Sequence, residues 1–206
     1  MGSQWLLNFN SDKTQFLSAN RYRSKIDLPE SSTLHLLGLS FTSDLSWKPY
    51  NKFIAKLAFS EFVSLYHARH FLTPDSILYL YTSQIRPRME YSCHIWGGSF
   101  NDALSLLDKV HKRSINIVGP ARTANLQLLS HRRNVASLSL FYKYYNGHCS
   151  KELASFVPSA KTHPRITRHL IKSDPLSVTV PKCSKNSYSS SFFPRTPVLW
   201  ISLLLS

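Results

Sequence analysis

Residues 34–47 read LHLLGLSFTSDLSW, and this run separates the predicted strands of the chain from its predicted helices. The nearly unbroken apolar stretch from Leu34 to Phe41 is typical of a short strand that is buried on both faces. Gly38 within it indicates a bulge or a close approach by another backbone. Residues 16–19 have a similar character, and a polar, turn-rich link that contains Pro29 lies between the two. The sequence therefore predicts two strands near the N-terminus.

Downstream of this run, apolar residues recur at helical spacing. Pro49 suits the first turn of one helix, and Thr73 with Pro74 supplies the N-cap and the first position of another. Pro87 is expected to kink or end that second helix. Further helices are predicted over residues 104–118 (closed by Gly119-Pro120), over residues 126–130, and over residues 134–145 (capped by Asn134 and stopped at Gly147).

The last part of the chain has a different composition. Beyond about residue 159, Pro, Ser, Thr and basic residues dominate and helical periodicity is lost. We predict an irregular basic tail over residues 159–206 with one strand at residues 177–180. It follows a strand region over residues 1–47 and a helical region over residues 48–158. The expected fold class is α+β and predominantly α: a short N-terminal β-hairpin, then a helical bundle, then the tail.

The charge of the chain favours a polyanionic partner. It carries 25 Lys+Arg against 11 Asp+Glu, a formal net charge of +14 at pH 7, and such an excess attracts nucleic acid. A solvated basic surface is the alternative reading. The excess is concentrated between Lys109 and Lys172, where Glu152 is the only acidic residue. That block is the strongest electrostatic signal in the sequence.

The cysteines and the apolar runs limit where the protein is expected to work. Cys93, Cys149 and Cys183 are far apart and odd in number, so they predict no disulfide framework and favour a reducing compartment. The sequence opens with no signal peptide. No apolar run approaches the length of about 20 residues that spans a bilayer. We expect an intracellular protein, nuclear or cytoplasmic, that is not secreted and has no membrane partner.

Several segments, taken in order, resemble one family. The sequence WLLNFNSDKT (residues 5–14), with its N-x-x-K-T pattern, and the L-G-x6-L-x-W pattern of residues 37–47 resemble the last palm segments of a reverse transcriptase from non-LTR (LINE-type) retrotransposons. FLTPDSILYLYTSQIRPRMEYSCHIWGG (residues 71–98) is similar to the thumb of that family. SFFPRTPVLW (residues 191–200) is similar to its closing motif. Ile201 and Leu204 depart from that motif, where the family has Asn and Pro.

The resemblance implies a truncated C-terminal part of such an enzyme: the end of the palm, a thumb-like helical bundle and the region downstream. In the family, the catalytic aromatic-x-Asp-Asp box precedes all of these segments, so the fingers and upstream palm are expected to be missing here. The implied partners are RNA and DNA, bound as template and primer. The full-length enzyme would use Mg²⁺, whereas no cofactor is expected in this chain.

The carboxylates and histidines predict no catalytic or metal site. Two-metal phosphoryl transfer needs carboxylates that hold two cations about 4 Å apart, and the Asp residues of this chain occur singly. His67 and His70 could share a helix face, but no ligand spacing matches a zinc pattern. The isolated chain is therefore expected not to polymerise.

The expected nucleic-acid contacts come from the basic block and from the resemblance. Phosphate contacts are predicted at basic residues on one helix and between two others, and Tyr144 is the candidate for base stacking, with Tyr142 and Tyr145 assigned to the core. The resemblance adds a lysine near the incoming triphosphate, although in the isolated chain that lysine is better described as a solvated turn residue. It also adds a primer-grip glycine, which could equally lie in an ordinary buried strand. The full set is Lys13, Gly38, Lys109, Lys112, Arg113, Arg132, Arg133 and Tyr144.

Two other classes of function stay open at this point. A host-captured helical module that binds other proteins would have the same helices, and its binding would be insensitive to salt. A translated relic without a function is the other alternative.

Overall fold

The structure, a computed structural model, describes residues 16–18, 31–157 and 178–204. The chain divides into two compact units, one ending at Tyr50 and the other beginning at Asn51. A short antiparallel hairpin belongs to the first unit, and most of the remaining described residues are helical. The predicted fold class, α+β and predominantly α, is confirmed.

The hairpin pairs β1 (Thr33–Leu36) with β2 (Leu39–Thr42) through a two-residue turn. Leu37 and Gly38 form that turn with φ angles of 49° and 77°. Positive φ at both central residues is the requirement of a type I′ hairpin turn, which glycine meets without strain. The prediction of one continuous strand with a bulge at Gly38 is therefore wrong, because the chain reverses there.

The burial expected for this run is also different. Leu37 is 80% exposed and Leu36 is 54% exposed, so the apolar stretch is not covered on both faces. Leu39, the first residue of β2, is better protected and is only 4% exposed. Of the other predicted strand, residues 16–18 are described, and the Phe16 carbonyl accepts a hydrogen bond of 2.8 Å from the Ser31 amide.

The helices of the described residues differ in length, and their bounds follow. In chain order they are α1 (Lys48–Ala68), α2 (Pro74–Leu80), a π-helical turn (Tyr81–Ile85), α3 (Arg86–Glu90), α4 (Cys93–Trp96), α5 (Asn101–Val118), α6 (Pro120–Thr123), α7 (Leu129–Tyr145), α8 (Lys151–Ser155), α9 (Asn186–Ser189) and α10 (Phe192–Leu204). None of the helices in the described residues is long and apolar enough to cross a membrane.

The start of α2 follows its sequence signals, whereas its end does not. Thr73 caps the helix by accepting a hydrogen bond of 3.2 Å from the Ser76 amide, and Pro74 occupies the first position. Pro87 neither ends nor breaks the segment. A proline lacks an amide hydrogen and clashes with the carbonyl four residues earlier. The π-helical turn before it accommodates the proline. In that turn the Arg86 amide donates a hydrogen bond to the carbonyl of Tyr81, five residues back.

The helix α7 is longer than predicted. It begins at Leu129 rather than at Asn134, and it carries Arg132 and Arg133 inside its first turns instead of between two helices. Leu128 occupies the N-cap position and supplies no side-chain cap. Asparagine is favoured at the N-cap of helices, but the periodic burial of this helix already starts at Leu129, before Asn134.

The end of the chain is helical where an irregular tail was predicted. Residues 192–204 form α10, which packs against α7. Pro194 lies in the first turn, where the amide groups have no partner within the helix, so its presence costs no hydrogen bond. Trp200 of α10 is 5% exposed and forms a core cluster with Phe141 and Val178. Burying an aromatic residue of this size contributes about 1.5–3 kcal/mol.

The helices α4, α5 and α7 each contribute fully buried side chains to the core. Trp96, Leu107 and Phe141 are fully buried, as are Tyr81 and Met89 from the preceding helical segment. This core fixes the rotation of α5 and α7 about their axes, and so decides which of their charged side chains face outward.

Candidate nucleic-acid interface

The outer face of α5 carries a row of cations. Lys109, Lys112 and Arg113 are all exposed and stand at i, i+3 and i+4, the spacing that places side chains on one helix face. The opposite face buries residues such as Leu107 and Ser114. In the described part of the chain, none of the three cations forms an ion pair. These predicted contacts are therefore accessible to a polyanion.

A second row of cations on α1 lies beside the first. Lys52 and Lys56 are exposed and one turn apart, and Phe59 follows on the same face with 39% of its surface exposed. The guanidinium carbon of Arg113 lies 5.1 Å from the centroid of the Phe59 ring, within cation–π range. This contact joins the two rows into one surface, the α1–α5 basic face, formed by Lys52, Lys56, Phe59, Lys109, Lys112 and Arg113.

Sequence reasoning missed the α1 part of this surface. Lys48, Lys52 and Lys56 recur at four-residue intervals after Trp47, which is the pattern of one helix face. That signal was available, but the sequence does not show that Phe59, on the same helix face as Lys52 and Lys56, lies near Arg113.

Arg132 is held by a carboxylate. Its Nε and Nη2 atoms donate to the two carboxylate oxygens of Glu90 at 2.6 and 2.8 Å. The Nε of Arg86 donates to the same carboxylate at 2.9 Å. Burial acts to raise the pKa of Glu90, but the hydrogen bonds from Arg132 and Arg86 outweigh it and hold that pKa below its ordinary value. Glu90 is therefore ionised and binds both arginines.

Arg133 is part of the core. Its side chain is 5% exposed and its guanidinium donates to the carboxylate of Asp108 at 3.1 and 3.2 Å. The sequence prediction placed Arg132 and Arg133 between helices and open to phosphate. The structure corrects their position, and we leave both out of the proposed interface.

The tyrosines of α7 are arranged differently from the prediction. Tyr144 is partly buried, with its ring stacked on Phe193 at 6.1 Å and in edge contact with Phe192 at 6.0 Å. Burial raises the pKa of its hydroxyl. Tyr142, expected in the core, is 52% exposed and stacks on Trp200. Tyr144 is therefore engaged with α10, and we also leave it out of the interface.

The remaining predicted contacts lie in the N-terminal unit. Lys13 is outside the described residues. Gly38 lies in the tight turn of the hairpin next to the exposed Leu37. Its contact with nucleic acid stays a prediction.

A neutral histidine lies on the buried side of α5. His111 is 2% exposed, and its Nδ1 is hydrogen bonded to the hydroxyl of Tyr81. Burial lowers the pKa of His111, and the nearby Arg86 adds to that effect. Burial also raises the pKa of Tyr81. Both groups are uncharged near neutral pH. They therefore add no charge on the buried side of α5, beneath its exposed cations.

Four carboxylates of the described residues are paired with arginine and are therefore poorly suited to hold Mg²⁺. Glu90 and Asp108 are each neutralised by arginine, as are the surface residues Asp75 and Glu61. Within residues 31–157 and 178–204, no three His, Cys, Asp or Glu side chains come together as metal ligands would. His70 lies beyond the end of α1, so it does not share a helix face with His67. We therefore derive no metal-dependent step.

Comparison with models of protein families, with curated proteins and with solved structures finds no match to this chain.

Proposed function

We propose that this chain binds RNA and DNA through the α1–α5 basic face. Its role would be that of the template- and primer-holding thumb region of a LINE-type reverse transcriptase, acting inside the cell. The observation that carries the proposal is the set of exposed cations on α5 that no carboxylate neutralises among the described residues.

The physical basis is the release of counterions. Each lysine or arginine that neutralises a phosphate frees condensed cations, and this term is independent of sequence. With five cations on the surface, log Kd is expected to change with log salt with a slope of magnitude about 4. Non-specific affinity is expected at about 10⁻⁴ to 10⁻⁶ M near physiological salt.

The aromatic ring at the centre of the surface adds a second kind of contact. Phe59 follows the α1 lysines on one helix face and contacts the Arg113 guanidinium, with part of its ring open to solvent. Bases of a single strand stack on such rings irrespective of their identity. We therefore expect unpaired strands, RNA or DNA, to bind with little sequence preference.

We further propose that the isolated chain does not extend a primer. Phosphoryl transfer by two metal ions needs a shared set of carboxylates, and the described carboxylates are mostly paired with arginine. A primer-extension assay with Mg²⁺ or Mn²⁺ should yield no product. Templated synthesis by the purified protein would overturn this part of the proposal.

The rival function, protein interaction, has one observation in its favour. An apolar groove of about 970 Å³ runs between α7 and α10, lined by Val135, Leu138, Tyr142, Trp200 and Leu203 among others. Exposed apolar surface of this kind often marks a protein interface. Binding there would depend little on salt, which distinguishes it from the nucleic-acid proposal.

The test is fluorescence anisotropy with labelled single-stranded RNA and DNA of mixed sequence. The variant replaces Lys109, Lys112 and Arg113 by Ala. The matched control replaces three exposed lysines outside the surface, Lys143, Lys182 and Lys185, and so removes the same charge. We expect the first variant to lose most of the affinity and the control to keep it. Equal losses would show attraction to net charge alone and would contradict a defined interface.

A further inference from the structure

A cavity of about 530 Å³ that includes charged side chains in its lining lies within the helical unit, away from the basic face. Its walls come from the loop between α4 and α5, the first two turns of α5, the first turns of α7, and α10. The charged side chains that line it are Asp108, Arg133 and Arg195.

Arg195 lines this cavity and has no counter-ion among the described residues. Its Nη2 donates to the carbonyl of His94 at 3.2 Å and to the hydroxyl of Ser137 at 3.3 Å, and both acceptors are neutral. Its Nε atom is shielded from solvent and has no partner. No carboxylate pairs with Arg195 in the described part of the chain. Burying a guanidinium in this way is unfavourable unless an anion compensates it.

The other charges of the cavity cancel. Arg133 and Asp108 form their own pair at 3.1 Å, so neither is available to neutralise Arg195. The lining therefore carries one net positive charge. Burial acts to lower the pKa of Arg195, and the adjacent Arg133 adds to that effect, as expected for two guanidinium groups with too few anions between them.

Ser99 supplies a second atom without a partner. Its hydroxyl oxygen has no accessible surface and makes no hydrogen bond, and Ser99 is one of the residues around the same cavity. Buried polar groups in native proteins nearly always have a partner, and a hydroxyl and a guanidinium that share a cavity can satisfy one common acceptor. An anion fits both observations, because it accepts from each group and balances the charge of Arg195.

The glycines of the loop shape this wall. A Cβ at Gly97 would lie 3.1 Å from Nη1 of Arg195, and a Cβ at Gly98 would lie 1.8 Å from the carbonyl oxygen of Ser190. Only residues without a side chain let the segment before α10 approach so closely. The loop therefore packs directly against the segment that leads into α10, the helix that carries Arg195.

We propose that this cavity binds a phosphate group, with Arg195 and Ser99 as hydrogen-bond donors and Arg133 beside them. A phosphate offers several acceptor oxygens and matches the planar fork of arginine. The cavity is larger than phosphate alone requires, so the group can be inorganic phosphate or the phosphate of a small monoester such as a nucleoside monophosphate.

The experiment is isothermal titration of the full chain with inorganic phosphate, and in a second arm with a nucleoside monophosphate, at ionic strength matched with chloride. We expect saturable binding at one site. Ser99→Ala should weaken it about tenfold, and Arg195→Lys should weaken it more, because lysine lacks the fork. Ser99→Ala removes only a hydroxyl, so it keeps the test decisive if Arg195→Lys does not fold.

The triple Ala variant at Lys109, Lys112 and Arg113 is the control, and it should bind phosphate as the wild type does. Tighter binding of the monoester supports the site and identifies a phosphate monoester as its ligand, whereas tighter binding of inorganic phosphate supports the site and identifies free phosphate. The proposal is overturned if phosphate does not bind saturably, if Ser99→Ala binds as tightly as the wild type, or if the triple variant loses binding.

Discussion

The helices α5 and α7 contain nearly the same tripeptide and use it in different ways. In α5, His111 is buried while Lys112 and Arg113 are exposed. In α7, His131 is exposed and Arg133 is buried. The difference is one of phase: the buried stripe of α5 passes through the first residue of the tripeptide, and that of α7 passes through the third.

This phase decides whether a cation can serve as a binding group. Arg133 stands in line with Leu129, Ser137 and Phe141, which are the buried positions of α7 at four-residue intervals. A charge in that stripe needs a partner, and Asp108 supplies it from α5. The net charge of a chain therefore overestimates the number of groups that are free to bind phosphate.

Loss of the buried cation should give the largest effect. We expect Arg133→Ala to lower the free energy of unfolding by about 2–4 kcal/mol, because it leaves Asp108 without its partner and opens a cavity in the core. Lys112→Ala, the matched change on the exposed face of α5, should alter stability by no more than about 0.5 kcal/mol. Urea denaturation measures both. Similar small values for the two variants would show that the buried and exposed positions of α5 and α7 have been assigned wrongly.

The exposed cations should affect binding instead of stability. Replacing Lys109, Lys112 and Arg113 by Ala is expected to weaken binding of single-stranded RNA about 30- to 100-fold at low salt, because three phosphate contacts are lost. Anisotropy titrations measure this loss, and circular dichroism should show an unchanged helical content. A loss smaller than about threefold would remove α5 from the interface.

The ion cluster of Glu90 should make stability depend on acid pH. The pKa of Glu90 in the folded protein is below its ordinary value of 4.5, so its contribution is present above that pH and is lost as pH falls through the lowered pKa. We expect Glu90→Gln to cost about 1–2 kcal/mol at neutral pH. The wild type should then lose more stability than the variant between about pH 6 and about pH 3. Parallel losses in thermal melts would mean that the carboxylate makes no net contribution.

The ring of Phe59 should give the smallest effect. Phe59→Leu keeps an apolar side chain but removes both the contact with the Arg113 guanidinium and the stacking surface. We expect affinity for single strands to fall about two- to fivefold, with duplex binding changed less. The same change at Phe71, which is 91% exposed and distant in sequence from the lysines, is the control and should have no effect.

Local signals predicted the local structure, and contacts between distant residues limited the rest. Thr73 with Pro74 and Gly119 with Pro120 act through their immediate neighbours, and the helix ends follow them. The two-residue turn at Leu37 and Gly38 has the same local origin, but an apolar run of eight residues concealed it. Length did not decide which helices were placed correctly, since the start of the short α2 was predicted and the longer α10 was not.

The candidate site depended on information that no local pattern carries. The partner of Arg133 is 25 residues away in sequence and that of Arg132 is 42 residues away, so a composition count treats them like Lys112. The helix α10 was missed because Pro194 and Pro197 hide it, although both are buried in the helix that packs on α7. Lys52 and Lys56 joined the interface only through the position of Phe59 beside Arg113.

The most direct test compares the salt dependence of binding for two single variants, Arg113→Ala and Arg132→Ala, with that of the wild type. The magnitude of the slope of log Kd against log salt should fall by about one unit for Arg113→Ala, because one phosphate contact disappears. It should stay unchanged for Arg132→Ala, because the Nε and Nη2 atoms of that guanidinium are already bound to the Glu90 carboxylate. The opposite result, a smaller slope for Arg132→Ala and an unchanged slope for Arg113→Ala, would contradict the assignment of the interface to the α1–α5 basic face.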